Sequence, residues 1–349
     1  MSDIPPLYNL ETYDYELPPE LIAQYPSRER TESRLLVLKR KDGSLIHHQK
    51  FSAIEAYFRP GDVLAVNDSR VFPARLYGQK PTGGTVEILL LRLPQEGQPV
   101  PALYRGKRIR EGLELSFGGK LRGKILKILE GGKALILLES SGSLLKTIQE
   151  IGHVPLPPYI KRSPEIEDLF RYQTVYAQKP GSVAAPTAGF HFTEELLKKL
   201  QKKGIIILAI TLHVGYGTFA PVKTKDIRKH QLHEEYVEIS PEVAKEINRA
   251  KEEGRAVFAV GTTTLRALEF AAQQEGKVKA LAAWCDLYIY PGFRFQVVDH
   301  LITNFHLPKS SLYILVAAFA GLENIKRAYT EAIKRRYRFF SYGDAMLIL

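Results

Sequence analysis

The chain has 349 residues, 45% of them hydrophobic and 25% charged, which calls for a globular protein with a real core, in two domains or in one large domain with an insertion. Cys285 is the only cysteine, which excludes an internal disulfide and thiolate zinc or iron–sulfur sites, and no segment reaches the roughly 18 apolar residues of a membrane span. Lys and Arg total 49 against 38 for Asp and Glu; the net charge of +11 favours a polyanionic partner, with a lysine-rich, heat-adapted surface as the alternative.

Near Pro5 and Pro6 no basic region leads into an apolar stretch, so no signal peptide is expected and a cytoplasmic location fits. Residues 28–58 predict a hairpin and a short helix: strand Leu35 to Leu38, turn Asp42-Gly43, then Phe51 to Phe58 with apolar residues at helical spacing. Residues 62–139 hold seven short strand-like runs: Asp62 to Val66, Ala74 to Tyr77, Thr85 to Leu93, Pro101 to Tyr104, Leu113 to Phe117, Lys120 to Leu129 and Ala134 to Leu138. The pairs Gly83-Gly84, Gly118-Gly119 and Gly131-Gly132 punctuate them, which predicts a small antiparallel β-barrel. Beyond Gly152 the pattern alternates. Helix Thr193 to Lys203 is capped by Thr193 and feeds strand Ile205 to Val214. Helix Ser240 to Glu253, strand Ala256 to Val260 and helix Thr262 to Gln274 follow, then strands near Leu287 to Tyr290 and His300 to Phe305 and two last helices to about Tyr337. The apolar run Leu312 to Ala320 reads as a buried core helix. Such alternation predicts an α/β layered domain with a mostly parallel sheet, built from residues 1–61 and 140–349 and interrupted by the barrel at 62–139.

Five segments can carry chemistry. In Ala184 to Thr193, small residues and a proline lead into a helix start, where free amides attract anionic or polar groups; Thr187 and Gly189 lie there, and His191 can act as a base near neutral pH. A plain proline–glycine connection with a satisfied histidine is the other reading. In Thr211 to Phe219, a buried strand ends at His213, and Gly215 and Gly217 permit close backbone approach; ligands of open α/β sheets bind outside carboxyl strand ends. In Val260 to Arg266, Thr262 and Thr263 open a helix and Arg266 can grip a carboxylate in a fork; no P-loop follows, so triphosphate hydrolysis is rejected. His230 and His233, three apart beside Glu234 and Glu235, make at most a weak metal pair, and no metal is expected. In Tyr337 to Met346 aromatics interleave with arginine, the composition of a base-stacking surface or of an aromatic core strand.

Taken together these segments resemble the S-adenosylmethionine:tRNA ribosyltransferase-isomerases of the queuosine pathway. The likeness runs over nearly the whole chain. It begins at Tyr15-Glu16-Leu17-Pro18 and Leu21 to Arg34, and continues through Pro60-Gly61-Asp62, Asn67 to Leu76, Gly152 to Ile160 and Tyr172 to Tyr176. It passes the Ala184, Thr211 and Val260 segments and closes with Ile289 to Gly292, Thr303 to Pro308 and Tyr337 to Met346. Phe190 stands where leucine is familiar and Tyr216 where alanine is.

The resemblance implies a large α/β domain interrupted by a small barrel. It implies that the ribosyl part of S-adenosylmethionine is moved onto an aminomethyl-deazaguanine at the tRNA wobble position, releasing adenine and methionine and leaving epoxyqueuosine. S-adenosylmethionine is then a consumed substrate and no cofactor is expected. The chemistry needs a base beside the sulfonium, for which His191 and His213 are candidates, and an acid for departing adenine, for which Glu235 and Asp344 are candidates. Arg266 with Thr262 and Thr263 is expected to hold the methionyl carboxylate, and Arg70, Arg75, Arg338 and Tyr342 to contact tRNA. A non-catalytic tRNA clamp and a conventional methyltransferase are the competing classes, separated by their products. A monomer is favoured and no membrane partner is expected.

Overall fold

A computed structural model of the protein describes residues 4–219 and 221–349. One nine-stranded sheet organises the larger part. From edge to edge it runs Leu281–Cys285, Glu235–Ile239, Ile206–Leu212, Val63–Asn67, Val257–Val260, His300–Asn304, Ala345–Ile348, Leu35–Leu38 and Leu45–His48. Only its centre is continuously parallel: Ile206–Leu212, Val63–Asn67, Val257–Val260 and His300–Asn304 point the same way, and beyond them the strand pairs are antiparallel except for Ala345–Ile348 beside Leu35–Leu38.

The period-2 alternation of a strand decides which face each residue supplies. On Val63–Asn67, Val63 and Ala65 pack with Ile247 and Leu268 of the helices Pro241–Glu252 and Thr262–Ala272, and the Ser311–Ala320 and Leu322–Lys334 helices complete that face. Leu64 and Val66 pack on the opposite side with Phe51, Ile54, Leu196 and Leu200, from the 3-10 helix Phe51–Tyr57 and the helix Glu194–Lys202. Thr193 caps the latter as its sequence predicts, its hydroxyl accepting from Leu196 N at 3.2 Å. Among the described residues no helix is long and apolar enough to cross a membrane.

Six antiparallel strands close the barrel in the order Lys133–Ser140, Val100–Arg105, Thr85–Leu90, Arg75–Gln79, Glu114–Phe117 and Leu121–Leu129. Its interior is filled by Leu76, Ile88, Leu115, Phe117, Ile125 and Ile136. Gly78 and Gly123 make room for the Phe117 ring: a Cβ at either would lie 2.6 Å or 3.0 Å from it. Helix Leu144–Ile151 seals the barrel with Leu144 and Ile148.

Two expectations are corrected here. The run Asp62 to Val66 does not open the barrel. All five residues of Val63–Asn67 are buried, the mark of a strand covered on both faces, so it takes the middle of the main sheet and the barrel strands begin at Arg75. Leu287 to Tyr290 is not a strand. The edge strand is Leu281–Cys285, paired with Glu235–Ile239, while the Leu287 carbonyl accepts a hydrogen bond from Arg266 Nε at 3.0 Å.

Candidate active site

The four parallel strands end at one edge of the sheet, and a cavity enclosing about 690 Å³, its open mouth included, sits there. Its floor comes from the carboxyl ends of three strands and the turns beyond them: Val214 after Ile206–Leu212, Gly261 to Thr263 after Val257–Val260, and Thr303 to Leu307 at the end of His300–Asn304. Gly261, at φ 91°, turns the chain from strand directly into helix Thr262–Ala272 and so aims the free amides of that helix start at the cavity. The walls are mostly apolar, from Ala185, Pro186, Ala188, Leu312 and Phe340, the last stacked on Tyr159 at 4.5 Å and 24°. A flat, apolar enclosure with a few polar groups is the usual form of a small-molecule site.

Those polar groups form an ordered set. Asn304 is the hub. Its Nδ2 donates to Phe340 O at 3.0 Å, which fixes the amide orientation, and to His191 Nε2 at 3.2 Å; its Oδ1 accepts from Thr187 Oγ1 at 3.3 Å. His191 Nε2 is therefore the unprotonated nitrogen, and Nδ1–H donates to Ser33 Oγ at 2.7 Å, whose own hydroxyl continues to Arg30 O at 3.2 Å. Both ring nitrogens are engaged and the ring lies behind Asn304 rather than on the cavity wall. Burial, reinforced by the Arg30 and Arg338 charges, pushes its pKa down to about 3.

His306 does line the cavity. Its Nε2 lies 2.8 Å from Thr303 Oγ1, and that hydroxyl can donate to Asn304 O at 3.2 Å, which makes Nε2 the protonated nitrogen and leaves Nδ1 a free lone pair. No described residue bonds Nδ1. Burial holds this pKa at about 3 as well, so the ring is neutral at physiological pH. The hydroxyl of Thr263, also on the wall, is buried and makes no hydrogen bond among the described residues.

A second chamber adjoins the first at Leu312, which lines both. It holds Gly215, Gly217, His233, Glu235, Arg266 and Tyr288. Arg266 and Glu235 are each 4% exposed and paired at 2.6 Å, with the other Glu235 oxygen accepting from Gly215 N at 2.9 Å. Burial opposes the Arg266 charge, but the Glu235 carboxylate overrides it and keeps the guanidinium pKa above its ordinary value. Arg266 Nη2 and the Tyr288 hydroxyl are buried without a hydrogen-bond partner among the described residues.

The sequence expectations divide accordingly. Thr187, Thr262 and Thr263 meet in the first cavity, and Gly215, Gly217, Glu235 and Arg266 in the second. Arg266 is thus parted from the two threonines expected to share its ligand, and Glu235 is the counter-ion of Arg266, not a free acid. His191 and His213 are not on the wall. His213 lies against Gly181, where a Cβ would come within 2.6 Å of the ring, and is stacked on Tyr236 at 6.0 Å. Gly189 serves packing: a Cβ there would sit 2.1 Å from the Tyr176 hydroxyl.

Asp344, expected as the adenine acid, lines neither chamber. It is 2% exposed, bonds Arg34 through backbone and guanidinium, and accepts from Arg338 N at 2.8 Å. Apart from Phe340 on the cavity wall, the Tyr337 to Met346 aromatics pack inward rather than forming an open stacking surface: Tyr342 is 3% exposed and its hydroxyl donates to Asp168 at 2.7 Å. Arg338 is half-buried and donates to the Tyr25 and Tyr342 carbonyls, and Arg75 pairs with Glu87 at 3.3 Å, while Arg70 is exposed. Among the described residues no three His, Cys, Asp or Glu side chains cluster as metal ligands; His230 packs edge-on against Tyr288. Residue-level reading missed Asn304, His306 and Tyr159. The strand-end rule that selected His213 and Thr262 applies equally to the end of His300–Asn304 and would have found the first two.

The two neutral histidines have a measurable cost in acid. Their folded pKa lies below the unfolded value of about 6.5, so the unfolded chain takes up protons first; stability is complete above that pH and is lost as pH falls toward 3. Between pH 6 and 4, urea unfolding of the wild type should lose about 1.4 kcal/mol more per pH unit than the His306→Gln variant. Equal slopes would show that the His306 ring is not held neutral.

Residues 10–348 match the family described as "Queuosine biosynthesis protein". Proteins named S-adenosylmethionine:tRNA ribosyltransferase-isomerase from Halothermothrix orenii and Aquifex aeolicus are 52% and 51% identical to the chain, each alignment covering 97% of it and 99% of the relative. A crystal structure of an S-adenosylmethionine tRNA ribosyltransferase from Thermotoga maritima is 38% identical, with a TM-score of 0.55 over 97% of this chain and all of that one.

Proposed function

The chain belongs to the queuosine biosynthesis protein family, and on that premise we propose that it is an S-adenosylmethionine:tRNA ribosyltransferase-isomerase, placing the ribosyl group of S-adenosylmethionine on the aminomethyl-deazaguanine of a tRNA wobble nucleotide and releasing adenine and methionine. The observation that carries the reading is the pair of chambers meeting at Leu312. An apolar enclosure with converging hydroxyls and helix amides suits an adenosyl group, and a charged chamber beside it suits an amino-acid end. The methionyl carboxylate goes to Arg266 Nη2 and its ammonium to Glu235, in a mutual arrangement the buried ion pair already prepares. S-adenosylmethionine is consumed, and this chemistry calls for no further cofactor.

His306 is the base in this reading. Its Nδ1 lone pair takes a proton from the carbon beside the sulfonium. The substrate brings a positive charge into the cavity, and proton transfer moves that charge to the ring without adding to it. The desolvation that keeps His306 neutral in the free enzyme therefore does not grow during the step. His191 is a positioning residue: it holds Asn304, whose amide lines the same cavity.

Incubation with S-adenosylmethionine and tRNA carrying the aminomethyl-deazaguanine should release one adenine and one methionine per base modified. S-adenosylhomocysteine in their place would mean methyl transfer, and no small-molecule product would mean a binding protein.

A further inference from the structure

Beyond Ser341, which also lines the main cavity, lies a separate crevice formed by Ser27, Arg30, Arg171, His191 and Tyr342. Its cations are unusual in their partners. Arg30 donates to Phe190 O at 3.2 Å and Phe170 O at 3.0 Å. Arg171 donates to Ser27 O at 2.6 Å and Arg28 O at 3.2 Å. Arg338 borders the crevice through Tyr342 O at 2.7 Å and Ser27 Oγ at 3.5 Å. Among the described residues the only carboxylate ion-paired with these three guanidinium groups is Glu167, 66% exposed and 3.3 Å from Arg171, with Asp344 acting on the Arg338 charge from further off. Neighbouring arginines are neutralised instead: Arg162 grips Asp168 at 2.7 Å and Arg34 grips Asp344 at 3.0 Å.

Carbonyls satisfy hydrogen bonds but cancel no charge, so Arg30 and Arg171 converge with little compensation, while Arg338 at the border shares Asp344 with Arg34. Their fields reach their neighbours. Burial and then Arg171 bring the Arg30 pKa down to about 10, and Arg30 and Arg338 both depress His191. Arg171 Nε is buried and has no hydrogen-bond partner among the described residues. Half-buried like charges are stabilised by an anion, and the unpartnered Arg171 Nε–H offers it a donor.

We propose that the Arg30–Arg171–Arg338 crevice binds a backbone phosphate of the RNA substrate, next to the nucleotide whose base enters the main cavity. The inference rests on the proposed reaction for its RNA. The crevice and the cavity share Ser341, and His191 at the crevice hydrogen-bonds Asn304 of the cavity. A phosphate seated here fixes the position of its own nucleotide relative to the sulfonium. It also means that the Arg338 charge serves the RNA while its donors remain on the Tyr25 and Tyr342 carbonyls and the Ser27 hydroxyl.

Full-length enzyme tests it, with tRNA and S-adenosylmethionine varied separately over a sodium chloride series. Arg171→Gln and Arg30→Gln should each raise KM for tRNA roughly tenfold, the loss expected for one charge-assisted bond. The slope of log kcat/KM against log salt should flatten by about 0.7–0.9 for each phosphate no longer neutralised, while KM for S-adenosylmethionine stays within twofold. Lys198→Gln, which removes an exposed charge on helix Glu194–Lys202, should change none of these. Inorganic phosphate should compete with tRNA on the wild type and less on Arg171→Gln. Wild-type tRNA KM and slope in both glutamine variants, with adenine still released, would overturn the proposal; so would phosphate that binds the crevice without competing with tRNA. If Arg171→Gln unfolds, Arg30→Gln decides: a raised KM for tRNA alone supports the site, and an unchanged one overturns it. If the wild type releases no adenine, it is the reaction that fails, not the crevice.

Discussion

Replacing His306 by glutamine should lower turnover about 100- to 10,000-fold, the usual contribution of positioned proton transfer, while leaving KM for S-adenosylmethionine within a few-fold. Glutamine keeps the ring's approximate volume and can keep a bond to Thr303, which His306 Nε2 meets at 2.8 Å, but it offers no basic lone pair to the cavity. The matching change behind the wall, His191→Gln, removes a neutral ring that holds Asn304 and not one that meets the substrate. Its effect should be smaller and should include KM, because a displaced Asn304 alters the wall itself. Equal turnover losses with unchanged KM in both variants would place the base elsewhere. A normal rate for His306→Gln would leave the substrate's own amine as the leading base.

Breaking the buried pair in the second chamber should have the largest effect on stability. Arg266→Met leaves the Glu235 carboxylate, 4% exposed, without its cation, and stranding a buried charge costs about 3–5 kcal/mol. The double variant Glu235→Gln, Arg266→Met removes both charges and should recover most of that loss, because two fitted apolar or neutral groups avoid the desolvation of an ion pair. It should not recover binding of S-adenosylmethionine, measured by titration calorimetry. Restored stability together with restored binding would show that the pair is architectural and that the methionyl end sits elsewhere. The single variant gives the thermodynamic cost and the double one separates it from recognition.

The fold was legible where local chemistry decides it. Glycine pairs at 83–84, 118–119 and 131–132 marked the barrel turns, and Thr193 marked the start of a helix that forms there. It was least legible at Val63–Asn67, where a short apolar run has no period to separate a central strand from a barrel strand; only pairing with residues near 206 and 257 settles it. The site shows the same division. Glycines and threonines at strand ends announced a ligand edge, and the structure gathers Thr187, Thr262 and Thr263 on one wall. Which histidine faces that wall was hidden, because His191 is withdrawn by Ser33, 158 residues away in sequence, and by Asn304, 113 away. Asp344 was likewise claimed by Arg34 across 310 residues. Partners at such separations leave no mark on local pattern, so a titratable residue in a promising segment can be spent before a substrate arrives.

The barrel leaves the main chain and returns to it at one point. Arg75 N donates to His153 O at 3.2 Å and His153 N donates to Arg75 O at 2.8 Å, so the two stems of the insertion are already hydrogen-bonded neighbours. For the α/β frame the whole excursion is a loop of nearly zero span. Its length enters the frame's folding only logarithmically, through closure entropy, and among the described residues no main-sheet strand pairs with a barrel strand. The insertion is modular in the engineer's sense at its ends, and what else ties it to the frame is side-chain packing: Val183 and Tyr216 against its core and Arg92 over Trp284 at 4.4 Å.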